Sequence, residues 1–106
     1  MYELAVIQER PDKNPTLAYE FKGEWHGYSN HKLVKFMPKD YTLVAKFDWH
    51  DEPITSYVRG SHFVVYTCQG NMVLAKREGD DWFSLHTGRR LLVNVIRWAR
   101  VTWTNS

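Results

Sequence analysis

Residues 62–78, HFVVYTCQGNMVLAKRE, leave this chain the least conformational choice. Two apolar runs flank Gln69-Gly70-Asn71. Gly70 and Asn71 both tolerate positive φ, as a tight reversal between two strands requires. The segment reads as a β-hairpin, with Gly70 at positive φ or in a bulge.

Other segments carry strand patterns. In YELAVIQ (2–8), Tyr2, Leu4 and Val6 line one face and Ala5 and Ile7 the other, so this strand is expected to be covered on both sides. RPDKNP (10–15) is a turn cluster. TLAYEFKG (16–23) sets Leu17, Tyr19 and Phe21 against Ala18, Glu20 and Lys22, the mark of a half-buried strand. EWHGYSNHK (24–32) reads as a loop, and HKLVKFM (31–37) as a short strand or a helical turn before Pro38. YTLVAKFDW (41–49) alternates along its whole length and predicts one long strand. ITSYVRG (54–60) reads as a loop or short edge strand. GDDWFSLH (79–86) reads as a turn and a short strand, and HTGRR (86–90) as another turn. Gly60, Gly70, Gly79 and Gly88 recur at the spacing of turns between strands and do not form a phosphate cradle.

The last run, LLVNVIRWARVTW, fits two periods. As a helix over 89–100, Leu91, Leu92, Val95, Ile96, Trp98 and Ala99 share one arc. Val93, Val95, Ile96, Val101 and Thr102 are β-branched and disfavour that helix, so a strand over 93–103 is expected. The fold class is mainly β, or α+β if that helix forms. The expected architecture is one domain, 1–106: a small twisted antiparallel sheet or barrel of five to seven strands. At most one or two short helices are allowed, at 30–36 or 89–100.

A chain of 106 residues with five Trp, six Tyr and five Phe can bury a core without staples. Its net charge of +2 does not by itself demand a nucleic-acid partner. The lone Cys68 cannot form an internal disulfide, and no stretch approaches the ~20 apolar residues of a membrane span. Met1-Tyr2-Glu3 lacks the basic start of a signal peptide, so a cytoplasmic protein beginning at Met1 is expected.

FDWHDEP (47–53) gathers Asp48, His50, Asp51 and Glu52. Along a strand Asp48 and His50 point the same way, which offers part of a metal shell. No second ligand motif accompanies them, and acidic residues before Pro53 suit a strand-ending turn. The expected role is a polar turn, replaceable at a cost within about 0.5 kcal/mol, with a surface ion site as the alternative. His26, His31, His50, His62 and His86 are scattered over loops and strand ends and read as ordinary polar tips. Cys68 lies at a hairpin tip with no helix after it, unlike an activated thiol. No catalytic residue, metal or cofactor is expected.

Arginines and aromatics form the stronger pattern. Arg89, Arg90, Arg97 and Arg100 lie near Trp98 and Trp103, and Lys32 and Lys35 form a second basic patch, with Lys39, around Phe36. Such surfaces bind proteins through hot spots or stack nucleic-acid bases. Arg89, Arg90, Arg97, Arg100, Trp103, Lys32 and Lys35 are the expected binding residues. A bulge could turn Trp98 inward and leave Arg97 and Arg100 outside.

The order VVYTCQGNMVLA, GDDWF and VIRW resembles a set of small phage and prophage proteins, in which a hairpin is followed by Gly-acid-x-Trp and a Val-x-x-Trp strand. It covers about the last third of the chain. The Pro-rich tail of that family is replaced here by ARVTWTNS. The resemblance implies a β-meander and a mobile-element origin. The expected function is a non-catalytic accessory protein that binds and inhibits a host protein, of the defence or transcription machinery, in the host cytoplasm. The alternative is a β domain that binds nucleic acid or sequesters a nucleotide. No membrane partner is expected, and a homo-oligomer is compatible with either reading.

Overall fold

Alternating side chains dominate the architecture: among the described residues the chain forms nine strands and no α-helix. The computed structural model describes residues 3–9, 14–28, 33–34, 40–58 and 60–102. The fold is mainly β and antiparallel throughout, in two sheets rather than one. The described residues up to Phe47 belong to one compact unit and Asp48–Val101 form a second.

The first unit holds β1 (Glu3–Gln8), β2 (Thr16–Phe21), β3 (Glu24–Gly27), β4 (Leu33–Val34) and β5 (Asp40–Leu43), in the order β4-β3-β2-β1-β5. Ala5, Val6 and Ile7 are all buried, so central β1 is covered on both faces as its sequence predicts. On one face Ala5 pairs with Ala18 and Leu43, and Ala18 pairs with Gly27. These small residues leave room above the sheet. The rings of Trp25 and Tyr41 meet there, with centroids 5.7 Å apart, although β2 and β1 separate their strands. Ala5 and Ala18 are fully buried on that same face.

Two expectations change in this unit. Residues 24–27 form a strand where a loop was expected. Lys22 and Gly23 both take positive φ (54° and 78°), and this two-residue turn pairs Phe21 with Glu24. A four-residue strand ending in glycine shows too little alternation to be seen in sequence. The long strand over 41–49 stops at Leu43. Val44–Lys46 make a 3-10 turn closed by the Phe47 N–H donating to the Val44 carbonyl at 3.1 Å. The turn exposes Ala45 and Lys46 and buries Phe47. Of the 30–36 helix alternative, Leu33 and Val34 are strand and the rest lies outside the described residues.

The second unit holds β6 (His62–Thr67), β7 (Met72–Glu78), β8 (Asp81–Ser84) and β9 (Val95–Arg100), in the order β8-β7-β6-β9. β6 and β7 are the predicted hairpin. The Gly70 N–H donates to the Thr67 carbonyl (3.0 Å), the Thr67 N–H donates to Asn71 (2.9 Å), and Gly70 sits at φ +84°. This is a type I turn followed by a left-handed residue. The helix over 89–100 does not form. Residues 91–94 are irregular, and β9 pairs with β6 through Val95 and Arg97–Arg100, with a bulge that skips Ile96. One face of the sheet buries Phe63, Val65, Ala75 and Trp98, with Ile54, Tyr57, Val73, Trp82, Leu91 and Val95 packed against them.

A Cβ at Gly70 would come no closer than 3.9 Å to a neighbour, the Tyr66 hydroxyl, so only the backbone demands glycine there. Gly70→Val is expected to lower stability by about 1–2 kcal/mol or more, as a reduced urea midpoint with an unchanged slope. His62 offers a pH test. Its partial burial disfavours the imidazolium and lowers its pKa below the ordinary 6.5. The unfolded chain then binds the proton more readily, so stability is full above about 6.5 and falls as pH drops through the folded value. His62→Gln should flatten that acid-side loss in thermal melts between about pH 7 and pH 5.

Candidate functional site

The sequence expects one arginine cluster; the structure sets its described members beside two different strands. Arg90 bridges to Phe83 on the outer side of β8, and the Arg89 carbonyl accepts from the Ser84 N–H. β9 is the opposite edge strand of the same sheet, beyond β7 and β6. Arg89 is exposed, and Arg90 meets Asp81 at 3.8 Å in a solvated pair of little energetic weight. Within β9, Arg97 and Arg100 project to opposite faces, because side chains alternate. Lys32, Lys35 and Trp103 lie outside the described residues.

Arg100 shares its face with Trp98. Its guanidinium lies 5.0 Å from the Trp98 ring and 6.0 Å from Phe63, and it donates to the Ser56 carbonyl at 2.7 Å. Arg100 thus ties the 54–57 segment to the sheet. Arg97, on the other face, lies 5.6 Å over Tyr66. It is exposed and forms no ion pair among the described residues. Beside it, the bulge residue Ile96 is 46% exposed, and Leu92 is 85% exposed. Trp98 points inward and both arginines stay at the surface, with the bulge at Ile96.

FDWHDEP is more than a turn. The backbone of His50 exchanges two 2.8 Å hydrogen bonds with Trp98, adding a short rung to the free edge of β9. The imidazole stacks on the indole, with centroids 4.5 Å apart and planes 23° from parallel. The Trp98 Nε1–H donates to the Glu52 carbonyl at 2.7 Å. His50 Nδ1 donates to the Glu52 carboxylate at 2.9 Å, and Nε2 stands 3.4 Å from Asp48. Glu52 is held below the usual carboxylate range, first by hydrogen bonds from the backbone and then by His50. Both imidazole nitrogens face carboxylates. Among the described residues no three His, Cys, Asp or Glu side chains are arranged to hold a metal ion. Cys68 is an exposed free thiol in the hairpin turn.

Two residues that the sequence reading left out come together at the other end of this face. Arg77 lies 5.0 Å over Trp82, and its Nε donates to the Gly79 carbonyl at 3.0 Å. The Gly79 N–H donates to the Tyr57 hydroxyl at 3.0 Å. Tyr57, Arg77, Glu78 and Gly79 line an open depression of about 410 Å³. The pairing of Arg77 with Trp82 was available from the hairpin register; the arrival of Tyr57, 22 positions before Gly79, was not.

No family model, curated protein or solved structure matches this chain. Among the described residues no helix is long and apolar enough to cross a membrane.

His50→Ala removes the ring stacked on Trp98 and is expected to cost about 1 kcal/mol in urea unfolding. Asp51→Ala, at an exposed position, should stay within about 0.5 kcal/mol of the parent. Equal, negligible costs for both would return the segment to a simple turn.

Proposed function

We propose that this chain is a non-catalytic protein-binding domain whose recognition surface centres on Arg97. The observation that carries this reading is the exposed guanidinium over Tyr66, with no acidic partner among the described residues. A ring beneath a guanidinium limits its motion, so less freedom is lost when a partner carboxylate binds it. Exposed Ile96 adjoins it in the chain, and Arg with Tyr and apolar surface is the composition of an interface hot spot. The partner is a host protein, and the domain inhibits it by occupying its surface. That role follows from the C-terminal resemblance to phage and prophage proteins, as does the host cytoplasm as its location.

Nucleic-acid binding is the second reading, and the ring geometry favours it less. Base stacking needs open ring faces. Trp98 is 7% exposed, and guanidinium groups lie over both Tyr66 and Trp82. The small net charge of +2 also supplies little counterion release.

The test is affinity capture from bacterial lysate with parent and variant proteins at two salt concentrations. Arg97→Glu should weaken capture of the specific host protein by about tenfold or more while stability changes by no more than about 0.5 kcal/mol. Arg100→Glu should instead lower stability, by about 1–2 kcal/mol, since it loses the Ser56 bond and the two rings. A partner that survives Arg97→Glu, or nucleic acid whose binding collapses as salt rises, would defeat the proposal.

A further inference from the structure

We propose that the depression formed by Tyr57, Arg77, Glu78 and Gly79 is a carboxylate-binding subsite for an acidic peptide segment. It lies on the opposite face of the β6–β9 sheet from Arg97 and goes beyond the surface assigned above.

Two donors converge on one residue there. Arg77 and Tyr57 are tied to the carbonyl and the N–H of Gly79, each at 3.0 Å. Both side chains therefore stand within reach of one small ligand. Arg77 spends only Nε on Gly79, so among the described residues its two terminal nitrogens keep their hydrogens for another acceptor. That fork matches the two oxygens of a carboxylate. Tyr57 accepts from Gly79, which leaves its own O–H proton to donate. Its ring packs on the Phe63–Trp98 core, and Trp82 backs Arg77, so both donors are held before a ligand arrives. Gly79 forms an open floor: a Cβ there would meet nothing within 4 Å.

Glu78 does not oppose an anion there. It follows Arg77 on β7, so its side chain points to the other face, where its carboxylate meets Lys76 at 3.4 Å. One guanidinium and one hydroxyl balance a monoanion, whereas a phosphate brings about −1.5 to −2 charge. The chemistry favours glutamate or aspartate side chains over a nucleic-acid backbone.

The experiment is an NMR titration of the ¹⁵N-labelled full chain with a blocked tetraglutamate peptide, read at the Gly79 amide and Arg77 Nε. Saturable shifts at both groups are expected. Arg77→Gln should weaken binding by about tenfold, and Tyr57→Phe should weaken it less. Tyr57→Phe keeps the test decisive even if Arg77→Gln fails to fold, because it deletes only the hydroxyl. Absence of shifts at Gly79, or unchanged affinity in a folded Arg77→Gln or in Tyr57→Phe, would overturn the proposal. So would a larger response to inorganic phosphate or a short oligonucleotide at equal concentration, which would identify a phosphate site instead.

Discussion

Trp98 organises the second unit. Its indole is nearly buried, edge-on to Phe63 with centroids 5.9 Å apart, and Phe63 in turn meets Trp82 edge-on at 5.2 Å. Such perpendicular pairs each add about 0.5–1.5 kcal/mol beyond the area they bury. The one polar atom of the indole is satisfied by the Glu52 carbonyl, and the residue's own N–H and C=O are taken by His50. A single side chain thereby draws the 48–52 segment against a strand 46 to 50 positions later. Once that segment is anchored, Ile54 and Tyr57 follow over the same face. The depression at Gly79 exists because Tyr57 is delivered there.

The same constraint sorts the arginines. A guanidinium beside a buried ring with a carbonyl acceptor, as at Arg100, is part of the scaffold. One over a ring at the surface keeps donors unspent among the described residues. Arg97 and Arg77 are of this kind, on opposite faces of one sheet. The pattern also explains why β9 carries cations among its aromatics. A strand that only filled a core would have no use for them, whereas one whose tryptophan reaches inward while its arginines lie over ring faces builds core and surface at once.

Much of this was legible in the chain. The β6–β7 hairpin is local: two apolar runs, a glycine and an asparagine specify turn and register together. The two-sided burial of β1 was equally plain, because Ala5, Val6 and Ile7 are apolar in succession. Short elements were harder to see. β3 spans four residues, and its turn uses Lys22 at positive φ, a position where asparagine or glycine would have signalled the reversal. The 3-10 turn at Val44–Lys46 hides inside perfect alternation, since a period of two describes a sequence whether or not the backbone stays extended.

By itself, the sequence determined the class of fold, the hairpin, and the choice of strand over helix for Val95–Arg100. Each follows from forces acting within a few residues: side-chain alternation, β-branched crowding, glycine's access to positive φ. Only the tertiary structure decided which charged groups act together. It set Arg89 and Arg90 beside β8 and Arg97 and Arg100 on β9, the two edge strands of one sheet, because strand order is invisible in a linear pattern. It made His50 a stacking partner rather than a turn residue, and it joined Tyr57 to Arg77 through the two ends of Gly79. Those contacts span 20 to about 50 positions. Their geometry comes from packing large rings into one shared core, which no local propensity encodes.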